Sequence, residues 1–231
     1  MQERLPMLQH EAVLLKQRKQ KCGPSVEMGE FWVRAGRIER EERVMRIETD
    51  RLYIRQLTEE DRDLLSLIWT ERCPTLLDLS DGNKDTREKL LRDLWETTQD
   101  PALLTGTIFL RDGGRFCGRI NMQKTDQEVP EVGIDILAAY QNQGYGPEAI
   151  AGFANWFGEN RHVSKIKALI AAGNTHSTHV FKKLGAEYIQ DNLSFLQAVK
   201  ELAESLPERQ ESIMRDLKVR EYILKLPVSY P

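Results

Sequence analysis

Cysteine is scarce in this sequence, and the patterns that would give it a structural role are missing. The three cysteines, Cys22, Cys73 and Cys117, are odd in number, widely spaced and outside any Cys-x-x-Cys pair. Disulfide and metal frameworks need paired or clustered cysteines, so the pattern argues against both. Few and scattered cysteines are typical of a reducing compartment, and we expect a cytoplasmic protein.

The sequence also lacks long apolar runs and an excess of charge of one sign. Its apolar runs are too short to cross a bilayer, and Met1-Gln2-Glu3-Arg4 leads into mixed polar sequence without the apolar core of a signal peptide. The formal net charge of −3 gives no global field that would recruit nucleic acid or an anionic membrane. With 40% hydrophobic and 30% charged residues, the composition is that of an ordinary globular protein.

The first 44 residues differ from the rest of the chain. Leu8, Ala12 and Leu15 have helical spacing, but a basic and polar run follows them. Regular patterns begin at Met45. We therefore predict an N-terminal extension at 1–44, partly helical and dispensable, and one domain at 45–231.

From Met45 onward, strands alternate with helices. Strands are predicted at 46–55, 104–110, 115–123, 131–138, 164–171, 186–190 and 219–226. Helices are predicted after Thr58 and at 86–98, 146–158, 174–184 and 193–217. Strands cluster early in this order, and strands and helices alternate later. This order predicts a mixed α+β fold with helices on both faces of one sheet. The helical insert at about 191–218 either covers the acceptor end of a cleft, makes a dimer contact or packs on the side of the domain.

A glycine-rich segment between a strand and a helix carries the strongest chemical pattern. It reads Gln141-Asn142-Gln143-Gly144-Tyr145-Gly146, with Pro147 in the first helical turn. Glycines let a ligand approach the backbone, and a helix start offers unpaired N–H groups, so the segment suits a diphosphate. A ligand-free turn is the plain alternative. The Walker pattern is absent, and a dinucleotide site would need a glycine at Ala149 and an earlier place in the chain.

This segment resembles the acyl-CoA pyrophosphate loop of the GNAT N-acetyltransferase superfamily, Q/R-x-x-G-x-G/A. Within it, the chain looks like the branch of ribosomal-protein N-terminal (alanine) acetyltransferases. Four further stretches agree with that branch over roughly residues 46–226: Glu48 to Asp61, Gly118-Arg119-Ile120, Glu131 to Ile134, and Asn174 to Gly185. The resemblance implies a mostly antiparallel sheet of six to seven strands, splayed between the fourth strand (131–138) and the fifth (164–171).

The resemblance also implies an acyl-CoA donor lying between the splayed strands, with no metal. Pantetheine would pair with the backbone of the fourth strand, the loop amides would hold the pyrophosphate, and the later helix would reach the CoA arm. The donor-binding residues implied are Ile136, Leu137, Ala138, Gln141, Asn142, Gln143, Gly144, Tyr145, Gly146 and Asn174.

Direct attack of an amine on a thioester needs a base, because the amine must arrive neutral. Glu131 is the first candidate and Asp135 the second, since a strand places both on one face beside the donor. The alternative for Glu131 is an ion pair with Arg119 or a lysine.

The catalytic acid departs from the family pattern. Many relatives place a Tyr seven residues after the helix Asn, but the residue here is Phe181. Ser177 is then the candidate acid, and the alternative is local hydrogen bonding at the helix start. His176 and His179 are expected on a solvated helix face. Cys117 is expected to be a buried small residue rather than a nucleophile.

The sequence therefore predicts an N-acetyltransferase whose partners are acetyl-CoA and a primary amine, working as a monomer or homodimer. A catalytically inactive CoA-binding or interaction module of the same fold is the alternative, and a dinucleotide-dependent oxidoreductase is a remote third. The acceptor stays open between protein N-termini, small amines and amino sugars. Acceptor specificity would depend on variable loops such as that from Cys73 to Lys84, and this loop contains no motif that indicates the acceptor.

Overall fold

The structure is a computed structural model that describes residues 45–72, 84–192 and 218–230. Its strands are Arg46–Glu48 (β1), Leu52–Gln56 (β2), Leu103–Leu110 (β3), Phe116–Gln123 (β4), Glu131–Ile136 (β5), Lys165–Ala171 (β6), Glu187–Asp191 (β7) and Val219–Lys225 (β8). Its helices are Arg62–Arg72 (α1), Lys84–Thr97 (α2), Tyr145–Arg161 (α3) and Thr175–Lys183 (α4). The extension at 1–44, the loop after Cys73 and the helix predicted at 193–217 lie outside the described residues.

The strands of the described part form one sheet in the order β1-β2-β3-β4-β5-β6-β8-β7. All neighbours are antiparallel except β5 and β6, which are parallel. The predicted mixed fold is confirmed, but the sheet has eight strands where six to seven were predicted. The difference lies at 46–55, which was predicted as one strand and is a hairpin.

The hairpin turns at Thr49. The Thr49 N–H donates to the Leu52 carbonyl at 3.0 Å, and the Leu52 N–H donates to the Thr49 hydroxyl oxygen at 3.0 Å. Thr and Asp side chains favour such turns because they can hydrogen-bond to nearby backbone. The turn folds β1 back on β2, so that Ile47 and Ile54 become partners.

Helices cover both faces of the sheet, as predicted. On one face, α3 buries Ile150, Phe153 and Phe157 completely against the strands. On the other face, a smaller cluster joins α1 to α2 through Leu65, Trp69 and Trp95. Helix α1 follows a capping box between Thr58 and Asp61, in line with the predicted N-cap at Thr58.

Helix α3 continues past Gly158, where its end was predicted. A Cβ at Gly158 would lie 2.7 Å from Leu226 Cδ1 and 2.9 Å from the Val163 carbonyl oxygen. Gly158 therefore serves close packing inside the helix rather than termination. Helix α4 does end before Gly185, which has a φ of +85°, as the predicted C-cap requires. No helix among the described residues is long and apolar enough to span a membrane.

Strands β5 and β6 meet only at their beginnings in the described sheet. Glu131 pairs with Lys167, and the Lys167 N–H donates to the Pro130 carbonyl at 2.8 Å. Beyond this point no further residues of β5 and β6 are paired in the described sheet. The predicted splay between the fourth and fifth predicted strands is thus found between β5 and β6, and the gap is where the site lies.

Candidate active site

A cleft of about 510 Å³ opens where β5 and β6 separate. The end of β5 and the residues after it form one wall, α4 forms the opposite wall, and the last turns of α1 border it through Ile68 and Glu71. Of the predicted site residues, eight line this cleft: Asp135, Ile136, Leu137, Ala138, Gln141, Gly146, Asn174 and Ser177. Glu131 and the middle of the loop do not line it.

The β5 wall presents backbone groups to the gap. The Leu137 N–H donates to the Cys117 carbonyl of β4 at 3.0 Å, so odd-numbered positions of β5 bond toward β4. Because antiparallel ladders alternate, the backbone of Ile134 and Ile136 points the other way, into the gap. These are groups that an extended, amide-bearing ligand can pair with.

All three residues predicted to pair with pantetheine have backbone groups with protein partners, and the Leu137 carbonyl accepts the Tyr140 N–H at 2.8 Å. The Ile136 carbonyl accepts a bond from Gln141 Nε2 at 2.8 Å, and the Ala138 N–H donates to Glu71 Oε2 at 2.8 Å. The Ile136 N–H remains directed toward the gap by the alternation of the ladder. Gln141, expected to bond a ligand, therefore fastens the loop to the end of β5.

The glycine loop ends in an uncapped helix start. Gly144 is the N-cap residue of α3, with a φ of +83° and no side-chain cap. Such a start leaves backbone N–H groups without side-chain acceptors and gives the positive end of the helix dipole. A Cβ at Gly146 would meet nothing within 4 Å, so Gly146 faces open space in the cleft. These features favour an anion at the loop.

Two residues that the sequence did not single out, Arg51 and Tyr230, hold the loop from outside the cleft, and a third, Glu148, holds Arg51. Arg51 Nη1 donates to the Gln143 carbonyl at 2.9 Å, and the Tyr230 hydroxyl donates to the Gly144 carbonyl at 3.1 Å. Glu148, in the first turn of α3, is only 4% exposed and forms an ion pair with Arg51 at 2.6 Å.

Glu148 is ionised despite its burial. Burial alone raises the pKa of this carboxyl, but hydrogen bonds from Thr49 and from the Arg51 backbone and guanidinium outweigh it, so the pKa lies below its ordinary value. Arg51 has a pKa above its usual value: partial burial lowers it, and the bond and charge of Glu148 raise it by more. Both groups therefore carry full charge near neutral pH.

Helix α4 supplies the opposite wall. The Asn174 Oδ1 atom accepts the Ser177 N–H at 3.0 Å and caps the helix. The capping bond uses only Oδ1, so the Asn174 NH₂ group is the half that can contact a ligand. Ser177 is half-buried on the cleft wall, and Phe181 is buried there. His176 and His179 are exposed, as predicted, although His176 borders the cleft.

The two candidate carboxylates are held by different cations. Asp135, on the cleft wall, accepts a bond from Arg119 Nε at 2.8 Å. Glu131 is buried and pairs with Lys124 at 2.9 Å. The two carboxylates lie four positions apart on one strand, about 13 Å along the same face. The ion pair with a lysine, which the sequence offered as the alternative role of Glu131, is therefore present. Of the two carboxylates, only that of Asp135 belongs to a residue lining the cleft.

Cys117 is fully buried in β4. Burial raises the pKa of its thiol to about 12, with a smaller contribution from the charge of Glu148. A neutral, enclosed thiol is a poor nucleophile, which agrees with the expected packing role. Within the ranges 45–72, 84–192 and 218–230, no group of three or more His, Cys, Asp or Glu residues is placed to hold a metal ion.

Known structures share this architecture. An acetyltransferase of the GNAT family from Bacillus anthracis matches at a TM-score of 0.55 and 18% identity, covering 78% of this chain and 98% of that one. A ribosomal-protein-S5-alanine acetyltransferase from Vibrio fischeri matches at 0.55 and 13%, covering 78% and 96%. A spermidine N-acetyltransferase from Vibrio cholerae matches at 0.53 and 13%, covering 77% and 95%. At these identities the likeness establishes the fold alone.

Sequence comparison identifies a curated relative and a protein family. The protein YkkB of Bacillus subtilis (strain 168), itself uncharacterized, is 28% identical over 148 residues, which cover 61% of this chain and 84% of the relative. The family described as acetyltransferase (GNAT) domain matches residues 51–187, more than half of the chain. That match begins at Arg51 and includes the splayed strands, the glycine loop and helix α4. The resemblance seen in the sequence is confirmed, and the chain belongs to the GNAT acetyltransferase domain family.

Proposed function

We propose that this protein is an N-acetyltransferase that moves the acetyl group of acetyl-CoA to a primary amine by direct attack. The observation that carries the proposal is the cleft between β5 and β6, which ends at the uncapped start of α3. One wall offers strand backbone to an amide-bearing arm, and the far end offers helix N–H groups to a diphosphate. Those two features, at one cleft, suit the pantetheine and pyrophosphate of CoA.

The residues that would hold the donor follow from this placement. Backbone of Ile134 and Ile136 pairs with the pantetheine arm, and the N–H groups from Gln143 to Gly146 hold the pyrophosphate. The Asn174 amide group contacts the arm from α4. The amine attacks the thioester carbonyl, the carbon–sulfur bond breaks, and the CoA thiolate leaves. A backbone N–H of β5 meets the oxyanion that develops in between.

Proton transfer needs a base for the amine and an acid for the thiolate. Glu131 and Asp135 are the candidate bases, each acting through ordered water. Asp135 is supported by its place on the cleft wall, and Glu131 by the position it shares with the family pattern. Ser177 is the candidate acid, because it is the hydroxyl on the α4 wall of the cleft.

The alternative is an inactive CoA-binding or interaction module of the same fold. The observation that favours it is Phe181, which lines the cleft where many relatives carry a Tyr. Phe cannot protonate a thiolate. The proposal for an enzyme therefore requires that Ser177, or water held by it, replaces that hydroxyl.

A direct assay separates the two. Purified full-length protein is incubated with acetyl-CoA and a panel of amines: peptides with free N-termini, polyamines and amino sugars. The enzyme predicts amine-dependent release of free CoA thiol and addition of one acetyl group to the amine, read by mass spectrometry. Calorimetric binding of CoA without turnover on any amine supports the module instead. Absence of both CoA binding and thiol release contradicts the donor assignment itself.

A further inference from the structure

Two carbonyl oxygens of the glycine loop are held from the side away from the cleft. Arg51 bonds the Gln143 carbonyl at 2.9 Å, and Tyr230 bonds the Gly144 carbonyl at 3.1 Å. Neither Arg51 nor Tyr230 lines the cleft, whereas Gly146, two residues along the loop, does. The two residues are far apart in the sequence: Arg51 lies in the β1–β2 turn, and Tyr230 lies in the tail after β8.

Fixing a carbonyl also fixes the N–H of the same peptide unit. A trans peptide is planar, and its C=O and N–H point in opposite directions. Arg51, by holding the Gln143 carbonyl, directs the Gly144 N–H away from itself. Tyr230 does the same for the Tyr145 N–H through the Gly144 carbonyl. These N–H groups belong to the loop that offers donors to an anion.

Arg51 has a second, electrostatic effect. Glu148 lies in the first turn of α3, close to the loop, and its negative charge opposes an anion there. Arg51 closes on that carboxylate with three bonds, from its backbone N–H at 2.8 Å, its Nε at 2.7 Å and its Nη2 at 2.6 Å. Without Arg51, a buried carboxylate with no cationic partner would lie one helical turn from any diphosphate bound at the loop.

The position of Arg51 is itself well supported. Its guanidinium lies 4.7 Å from the centre of the Tyr145 ring, and Thr49, two residues earlier, also bonds Glu148, at 2.6 Å. A Cβ at Gly144 would come within 3.1 Å of Arg51 Nη2 and 3.2 Å of the Tyr230 hydroxyl. Glycine at 144 leaves room for both of these contacts and suits the positive φ of this position.

We propose that Arg51 and Tyr230 are positioning residues for the donor's diphosphate. Arg51 orients one peptide plane and cancels the charge of Glu148, and Tyr230 orients the next plane. The proposal rests on the proposed function, because it assumes that a CoA diphosphate binds at this loop. It assigns the two residues to donor affinity and not to the acyl-transfer step.

The test compares a donor that has the diphosphate with one that lacks it. Variants Arg51→Met, Arg51→Lys and Tyr230→Phe are assayed with acetyl-CoA and with S-acetyl-pantetheine, and the Kd of CoA is measured by calorimetry. Arg51→Met is expected to raise KM for acetyl-CoA and the CoA Kd about tenfold, the size of a charge-assisted hydrogen bond, with kcat and KM for S-acetyl-pantetheine unchanged. Tyr230→Phe is expected to raise both constants about threefold, and Arg51→Lys to recover part of the loss.

The matched control is Arg111→Met. Arg111 bonds the Thr49 carbonyl of the same turn at 2.8 Å but makes none of the loop contacts of Arg51, so both donors should behave as in wild type. Adding Glu148→Gln to Arg51→Met should restore part of the CoA affinity by removing the uncompensated charge. If Arg51→Met is not folded, as judged by thermal unfolding, Arg51→Lys and Tyr230→Phe decide the question.

The failure of each idea is distinguishable. If wild type binds CoA but the Arg51 and Tyr230 variants bind it equally well, the positioning roles are refuted and the donor assignment stands. Equal losses with both donors would mean a general structural effect and would also refute positioning. If wild type does not bind CoA at all, the donor assignment falls, and the roles of Arg51 and Tyr230 fall with it.

Discussion

Arg119 and Asp135 face each other across the β4–β5 ladder, with Arg119 Nε donating to Asp135 Oδ2 at 2.8 Å. The pair keeps Asp135 at a fixed place on the cleft wall, while Glu131 lies on the same face beside Lys124. In the proposed mechanism, water on either side of Gly133 would carry the amine's proton to one of these two candidate bases. The pH–rate profiles of variants at Glu131 and Asp135 distinguish which carboxylate is the base.

The residue that acts as base is identified by the pH dependence of the rate. Glu131→Gln is predicted to lower kcat/KM at neutral pH on the order of 10²-fold and much less at high pH, where the amine is already neutral. Asp135→Asn shows that profile instead if Asp135 is the base. Asp112→Asn, an exposed carboxylate in the β3–β4 turn, is the control. A parallel shift at every pH in both variants would count against both assignments.

The role of Ser177 is tested together with Phe181. Ser177→Ala is predicted to lower kcat roughly 10²-fold, because a general acid is lost, while the KM for acetyl-CoA changes little. Phe181→Tyr in the same background should return most of kcat by placing a phenol on the same wall. Thr175→Ala, exposed on the same helix, serves as the control. Full activity of Ser177→Ala would show that water protonates the thiolate without it.

The proposed donor site should be open to blocking by a single substitution that leaves the fold intact. Gly146 faces open space, so Gly146→Glu is sterically accommodated and brings a carboxylate to the loop. A like charge roughly 6 Å from a phosphate costs about 3 kcal/mol at an effective dielectric constant of about 20, and CoA binding should weaken about a hundredfold. Gly173→Glu, also in open space, controls for the added charge. Calorimetry reads affinity, and equal CoA affinity in both variants would place the diphosphate elsewhere.

Acid should weaken the fold through Asp61. This carboxylate is 1% exposed; burial raises its pKa, but bonds from Arg55 and Thr58 lower it by more, so the folded pKa lies below the ordinary 3.8. A depressed pKa stabilises the fold at pH values above 3.8, and the contribution disappears as the pH falls through the folded value. Asp61→Asn should lose about 3 kcal/mol of unfolding free energy near neutral pH, since it leaves Arg55 without its buried partner.

Denaturation in urea at a series of pH values checks the Asp61 prediction. The gap between wild type and Asp61→Asn should narrow below the ordinary carboxyl pKa. Asp50→Asn, at an exposed position in the β1–β2 turn, should match wild type throughout. A gap that stayed constant at all pH values would assign the loss to packing rather than to ionisation.

Cys117 should be inert in the folded protein. It is fully enclosed and its thiol pKa is raised to about 12, so the reactive thiolate is nearly absent at mildly alkaline pH. In a Cys22→Ser/Cys73→Ser variant, thiol reagents should label Cys117 only in denaturant. Rapid stoichiometric labelling of the native variant would contradict this burial.

Much of the site could be predicted because its parts are local in sequence. The glycine loop, the Asn174 cap and the alternation of β5 each depend on a few neighbouring residues, and the structure brings Gln141, Gly146 and Asn174 to one cleft. Short-range patterns of this kind reflect backbone conformation and periodicity.

The Arg51–Glu148 pair could not be found in the same way. The two residues are 97 positions apart, and each has an ordinary reading by itself, one as an outward strand residue and the other as an acid in a first helical turn. Their meeting depends on how β1, β2 and α3 pack. The hairpin, in contrast, is reflected in the local spacing of apolar residues. Ile47 and Leu52 are both buried but five positions apart, and one continuous strand would place residues at that odd spacing on opposite faces.

The separation of β5 from β6 divides the described sheet into two blocks, β1 to β5 and β6 with β8 and β7, joined by the single pair Glu131–Lys167. Backbone amides on the inner rims of both blocks lack a strand neighbour over most of their length, as sheet edges do. A donor lying in the gap would act as a surrogate strand. Its binding should therefore slow hydrogen exchange at Ile134 and Ile136 and make the two blocks unfold as one cooperative unit.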